Sequence, residues 1–407
     1  MIARPVPLAW RNLTHDRVRF SLFSAGIGFA VVLMGIQLGI MNAMLDSNTV
    51  LLRHINAELV LINPTRKSLL FREGVNHHRA EQALEAKGVA TIVPVYIEYQ
   101  FGMLRHTAAD PGERTQTRRI RVIGVDPDSG ILDLPGATRE DWERLLVPGT
   151  ALYDRKSRPH PDQTHHPGES VFGKLANGVQ TELVGKTITL VGNGFELGFD
   201  FGTDGTLVVS DRTMGAWVRA PYSAPGVDPL AEIDLVAVRL RPGADPDEVK
   251  RELEAKFSAG DVEVLTRGEM IAREKRFWWS NTPIGFAFGA GVVLGFVVGL
   301  VICYQILSSD IADHAAEYAT VKAIGYPNRY LNFVVLQESL ILAVAGFVPG
   351  IAVTLGLFVV LSGFTGLPME LSPGRFFLVF GLTVAMCVAS AWMAVGKVKK
   401  VDPADVF

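Results

Sequence analysis

Side chains able to do chemistry are sparse in this sequence, and the densest set lies in DIADHAAEYATVKAIGYP, from Asp310 to Pro327. Asp310, Asp313 and Glu317 recur at three-to-four spacing, which on a helix places three carboxylates on one face. Like charges so placed repel by roughly a few tenths of a kcal/mol, so the stripe suits a basic partner. Ala312, Ala315, Ala316, Ala319 and Ala323 share the same period and make a second, small apolar face. Gly325 accepts a left-handed cap and Pro327 cannot continue a helix. The spacing therefore predicts one bounded amphipathic helix over 310–324, with Tyr318 and Lys322 on it. Its chemistry is that of docking, not of bond-making.

Other candidates fail on type or spacing. VGKT at Val184 to Thr187 looks like the end of a phosphate-binding loop, but the required first glycine falls at Gln180, and the stretch lies between predicted strands. ATP chemistry is thus expected to reside in a partner. His77, His78, His160, His165 and His166 occupy polar stretches, with no pair four apart on a recognisable helix and no carboxylate at ligand spacing; solvated loops are favoured over a metal site. G-x-S-x-G, H-E-x-x-H and paired-carboxylate arrangements are absent from the sequence. No catalytic residue, metal or cofactor is expected in this chain. Two polar residues stand inside apolar runs. Glu338, in FVVLQESLIL, is either an intramembrane acid with a function or a residue of the interface that is wetted or paired with a nearby base. For Gln37 an interhelical hydrogen bond is favoured over a place in a transport path.

The elements that carry these residues follow from composition. A hydrophobic share of 48% over 407 residues is high for a soluble protein of that size, and points to a membrane protein. With 39 basic and 42 acidic residues the net charge is -3, which gives no pull toward nucleic acid. Cys303 and Cys387 both fall in apolar runs and read as buried thiols. Roughly 20 residues at 1.5 Å each cross a hydrocarbon core. The apolar runs at 20–44, 283–308, 331–362 and 376–396 are therefore four expected spans. The first is longer than a signal-peptide core and has no small-residue cleavage site after it. Arg4, Arg11, Arg17 and Arg19 against Asp16 place segment 1–19 in the cytoplasm. Lys322 and Arg329 do the same for 309–330, and Lys397, Lys399 and Lys400 for the tail 397–407. The short turn 363–375, with Arg375, and the long segment 45–282 are then outside. Gly291, Gly295 and Gly299 at four-residue spacing let another helix approach the second span closely.

The expected fold is an integral membrane α-helical protein of four transmembrane helices, with a large α+β periplasmic domain inserted between the first and second. Within 45–282, stretches near 57–100 and 233–266 each read as strand, helix, strand. In the second, Asp245 caps a helix with Pro246 at its first position and Val249, Leu253 and Phe257 on its buried stripe. The echo between ALEAK and ELEAK is too short to establish a duplication. Residues near 118–229 read as a β-rich insertion.

Several of these segments resemble a known family. EYATVKAIGYP, from Glu317 to Pro327, resembles the cytoplasmic coupling segment of the FtsX/MacB-like permeases, membrane subunits of ABC systems in which a short helix between spans two and three docks on the ATPase. KVKKVDPADVF resembles their basic tail, with Asp402 and Pro403 as its Asp-Pro, and Glu338 falls where these permeases often carry an acid early in the third span. PLAWRNLTHDRVRF and MLDSNTVLLRHINAELVLINP are similar to the DevC-type subfamily. The resemblance implies a type VII permease acting by mechanotransmission in the bacterial inner membrane, with both termini cytoplasmic. It implies a permease homodimer, an ABC ATPase subunit that binds ATP and Mg, a periplasmic adaptor (membrane fusion protein) and an outer-membrane channel, serving efflux or glycolipid and lipid export. An FtsX-like regulator of a periplasmic hydrolase and a lipoprotein-extraction permease are the alternatives within the family. The size of 45–282 suits an exporter better than a simple regulator.

Overall fold

The computed structural model describes residues 17–106, 116–158, 177–200, 202–257, 260–365, 367 and 369–398. Expectations for the segment before Arg17, for His160, His165 and His166, and for Asp402 and Pro403 lie outside the described residues. The chain divides into two compact units, one of Met1–Ala43 with Pro283–Phe407 and one of Met44–Thr282.

The first described element is a long helix, α1 (Arg17–Arg53), whose last turns belong to the sheet-rich unit. That unit continues with β1 (Leu59–Ile62), β2 (Val75–Asn76), α2 (His77–Gln82), β3 (Val89–Glu98), β4 (Met103–His106), β5 (Gln116–Arg119), β6 (Arg121–Val125), α3 (Arg139–Arg144) and β7 (Thr150–Tyr153). It is completed by β8 (Gln180–Leu183), β9 (Lys186–Leu190), β10 (Thr206–Ser210), β11 (Glu232–Ile233), β12 (Leu235–Leu240), α4 (Pro246–Lys256), β13 (Glu263–Thr266) and α5 (Arg267–Ser280). Eleven strands form one mixed sheet in the order β13-β1-β12-β3-β6-β10-β7-β9-β8-β4-β5. Its central strands are runs of β-branched and aliphatic residues buried on both faces, as in LVLI of β1 and TLVVS of β10. Side chains alternate with a period of two. Leu59 and Leu61 face one core with Ala80, Ala83, Val249 and Leu253. Val60 and Ile62 face the other with Leu51, Leu52 and Met270.

The two strand-helix-strand stretches interlock. β1 pairs antiparallel with both β12 and β13, and β12 pairs antiparallel with β3. The strands of each stretch are therefore parallel and separated by a strand of the other, the split βαβ arrangement. The strands of 116–210 join the same ladder through the β3–β6 pairing. VGKT is the tip of the β8–β9 hairpin. Leu183 pairs with Lys186 across a two-residue turn in which Val184 and Gly185 have φ of 52° and 75°, the conformation that a tight hairpin requires.

Buried ion pairs tie this sheet together. Asp234 accepts from Arg66 Nη1 at 2.9 Å, from Ile97 N at 2.8 Å and from Arg219, and all three charged residues are 1% exposed. Arg121 donates to Asp200 at 3.0 Å and to Thr206 Oγ1 at 2.8 Å, fully enclosed. Near it, Asp154 takes amide hydrogen bonds from Lys156 (2.9 Å) and Leu197 (3.1 Å) on Oδ1, while Oδ2 is buried without a hydrogen-bond partner. Burial pushes the Asp154 carboxyl up to about 6, against the pull of those amides and of Arg121. Because the folded state holds this proton more tightly, its contribution is present below the ordinary carboxylate range and is lost as pH rises through about 6. A shift of some two units corresponds to about 3 kcal/mol. Asp154→Asn is therefore expected to raise the thermal midpoint of the chain at pH 8 and to have little effect at pH 4.5. Scanning calorimetry at the two pH values checks this; an equal effect at both would show that the charge is not the cause.

The second unit adds α6 (Pro283–Asp313), α7 (Ala315–Ala323), α8 (Asn328–Thr365) and α9 (Pro373–Val398). Together with α1, three of these are long and apolar enough to cross a membrane, making four such helices among the described residues.

Candidate coupling segment and helix seams

α6 is apolar for most of its length and does not stop at its last hydrophobic residue. It runs on to Asp313, breaks at His314, and α7 begins at Ala315. The single helix expected over 310–324 is thus two helices, and the expected acidic stripe is divided between them. Asp310 is 4% exposed, with His314 Nδ1 lying 3.5 Å from its Oδ1 and 3.0 Å from its main-chain oxygen. Asp313 pairs with Arg19 of α1 at 2.6 Å, a half-exposed ion pair that contributes little to stability. Glu317, on α7, stands exposed. The correction has a physical reason. Apolar burial of the adjoining Ile306, Leu307 and Ile311 holds the α6 end inside the bundle and carries Asp310 with it.

The expected alanine face is only partly buried: on α7 Ala319 is fully enclosed whereas Ala316 is exposed, and Ala312, at the end of α6, is exposed too. The helix ends where the sequence punctuates it, with Ile324 N bonded to Thr320 O at 3.0 Å and Gly325 at φ 100°. Beyond it the chain presents Ile324, 71% exposed, and Tyr326, 49% exposed and set 4.9 Å from the Tyr330 ring. Sequence reasoning passed over this apolar and aromatic corner. Its signal was available, since Ile-Gly-Tyr-Pro places large apolar residues at a helix stop. The described residues fix the backbone at Tyr318 and Lys322 but not their side chains.

Among the described residues close contacts mark three of the seams of the helical unit. Gly291 and Gly295 of α6 lie against α1, where a Cβ would stand 2.6 Å from Gln37 and 3.0 Å from Met34, and Gly299 lies between α9 and α1, where a Cβ would meet Met386 first and stand 2.6 Å from Ala30. Gln37 therefore lies over a glycine, half-buried, in a contact between α1 and α6. The second seam joins α1 to α8, and the sequence reading did not single it out. Gly350 would place a Cβ 2.9 Å from Gly28 O and 2.8 Å from Val31, and Gly346 one 2.6 Å from Ile27. Here two backbones touch, next to Pro349 within α8. The third joins α6 to α9, where Ser390 Oγ donates to Leu300 O at 2.8 Å and the two thiols, Cys303 and Cys387, share one buried cluster. Glu338 is 0% exposed within the unit, as is its neighbour Ser339.

Among the described residues no group of three or more His, Cys, Asp or Glu is placed to hold a metal ion. His77 Nε2 instead lies 2.8 Å from Tyr96 OH, and His78 contacts Gln82.

Comparison with known proteins adds the following. Residues 289–403 match the FtsX-like permease C-terminal family. Over 204 residues the chain is 23% identical to the macrolide export ATP-binding/permease protein MacB of Bdellovibrio bacteriovorus; the match takes in 48% of this chain and only 31% of that relative's length. Among solved structures, the periplasmic region of MacB from Actinobacillus actinomycetemcomitans aligns at 10% identity and a TM-score of 0.33, over 54% of this chain and 92% of that one. The extracellular domain of the noncanonic ABC-type transporter YknZ from Gram-positive bacteria aligns at 13% identity and a TM-score of 0.32, over 52% of this chain and 100% of that one.

Proposed function

The chain carries an FtsX-like permease domain, and from that premise we propose that it is the permease subunit of an ATP-driven ABC exporter. A separate ATPase subunit binds ATP and magnesium and docks on α7 from the cytoplasm. Its stroke passes through the four helices to the sheet-rich unit on the outer side, where an adaptor and an outer-membrane channel receive the cargo. Two copies of the permease act together.

The observation that carries this reading is the short α7 set between two span-length helices, with Glu317 exposed in its first turn and Ile324 and Tyr326 exposed around its C-terminal stop. A large aliphatic and an aromatic residue exposed at a rigid corner are the kind of anchor that dominates an interface. The buried α6 end supports a mechanical role as well. Asp310 and Ile311 are enclosed in the bundle, so displacement of α7 acts on α6 directly. α7 docking makes a definite demand. Ile324→Ser and Glu317→Lys are each expected to reduce recovery of a co-expressed, P-loop-containing ATPase from the neighbouring reading frame by about tenfold, the equivalent of one interface anchor. Gly325→Val should do the same by straining the cap. Membrane insertion should be unchanged in all three. Recovery of the ATPase at wild-type yield from every variant would refute docking at α7.

A further inference from the structure

Two basic and aromatic stretches, Lys67–Arg72 (KSLLFR) and Lys275–Trp279 (KRFWW), are far apart in sequence and adjacent in the sheet-rich unit. The loop after β1 is stapled to α5. Ser68 Oγ donates to Glu274 Oε1 at 2.6 Å, Leu69 N donates to Glu274 Oε2 at 3.0 Å, and Arg273 donates to Pro64 O and Arg66 O at 3.1 and 2.8 Å. The Phe71 ring meets Phe277 edge-on at 5.6 Å, and Phe277 in turn meets Trp278. Within these two stretches Phe71 is 36% and Trp279 45% exposed, and Lys67, Arg72 and Arg276 are exposed as well. Its charges are not balanced. Arg72 lies 3.9 Å from Glu98 and Lys275 pairs with Asp46 at 2.7 Å, but Lys67 and Arg276 have no ion pair among the described residues.

Chain connectivity says what this surface meets. Trp279 is four residues before Pro283, the first residue of the span-length α6. Four residues reach about 14 Å at most, roughly the depth of a headgroup layer. Asp46, bonded to Lys275, leaves the first span within the same distance of Met44. A surface tied to the membrane at both points, which combines exposed aromatic rings with two cations, Lys67 and Arg276, that have no ion pair among the described residues, has the composition of an interfacial anchor.

We infer that the Lys67–Arg72 loop and the end of α5 form one surface that binds anionic phospholipid headgroups of the adjoining leaflet, with Phe71 and Trp279 inserted below them. The inference rests on the four helices spanning the bilayer, and the test separates the two ideas. A nitroxide on Phe71→Cys, in the full chain in nanodiscs, reports depth through its collisions with oxygen and with a nickel chelate. The buried native thiols remain in place. A second label on Val298→Cys, in α6, reports the span itself. In discs holding phosphatidylglycerol the label at 71 is expected at headgroup depth, and it should move toward water in pure phosphatidylcholine. Lys67→Gln with Arg276→Gln should remove that difference and lower phosphatidylglycerol preference roughly fivefold per charge. A label at 71 open to the nickel chelate in both lipids overturns the contact. Shielding that ignores lipid composition and the double variant also overturns it, and assigns the surface to a protein partner. A label at 298 in water overturns the spanning reading, and the lipid contact with it.

Discussion

Asp234→Ala is expected to lower the thermal midpoint of the sheet-rich unit by about 10 °C or more. The carboxylate takes hydrogen bonds from Arg66, Arg219 and the Ile97 amide, with no water-accessible side. Truncation leaves two guanidinium groups buried beside each other with nothing to neutralise them, a loss of about 3–5 kcal/mol. In a unit of this size each kcal/mol moves the midpoint by roughly 2–4 °C. The effect belongs to the unpaired charges and not to the worth of the pairs, so replacing all three residues by apolar ones of similar volume should recover much of the loss. Hydrogen exchange of the full chain checks both statements: the β1, β3 and β12 amides should lose protection in the single variant and regain it in the triple one. Unchanged protection in Asp234→Ala would mean that this ion cluster does not hold the sheet.

Gly350→Leu is expected to abolish the native packing of the helical unit, whereas Gly381→Leu should be tolerated. A Cβ on Gly350 meets a main-chain oxygen, Gly28 O, at 2.9 Å. A side chain can rotate away from a new neighbour; a backbone in a helix cannot. Overpacking of this kind costs about 1–3 kcal/mol even where side chains adjust, and more where they cannot. Gly381 has nothing within 4 Å of its would-be Cβ. Gel filtration in detergent is the measurement, with a single symmetrical peak expected for Gly381→Leu and aggregated or absent protein for Gly350→Leu. A normal peak for Gly350→Leu would show that α1 and α8 do not rely on backbone contact. Gly291 falls between these extremes, because it faces the flexible end of Gln37.

The helix stop at Gly325, the α4 cap at Asp245 with its buried Val249 and Leu253, and the membrane-length apolar runs were all legible in the sequence. They depend on local backbone chemistry or on a short hydrophobic period, and neighbours in sequence decide both. The acidic stripe was misread for the converse reason. Spacing places Asp310, Asp313 and Glu317 on one face only if the helix is unbroken. The break at His314, the burial of Asp310 and the pairing of Asp313 with Arg19 come from residues hundreds of positions away or from the rest of the bundle. The exposed Ile324 and Tyr326 were missed because a large apolar residue at a helix end looks like a core residue until its surroundings are known.

The α6 glycines show the same division. Their four-residue spacing marks a face for close approach, yet it does not name the partner; Gly346 and Gly350 of α8 carry the same spacing, and only the tertiary structure sets them against Ile27 and Gly28. In the sheet, unbroken apolar runs mark β1 and β12 as strands buried on both faces, but they leave the strand order open. Only the pairing of β1 between β12 and β13 interlocks the two strand-helix-strand stretches. By itself the sequence determined which segments are span-length helices and which are strands, and the cap of α4 and the stop of α7, because propensity, capping and period act over a few residues. The tertiary structure alone decided which faces meet, which charges are enclosed and which corner of the Asp310–Pro327 segment remains free, because burial is set by atoms that the chain brings together from a distance.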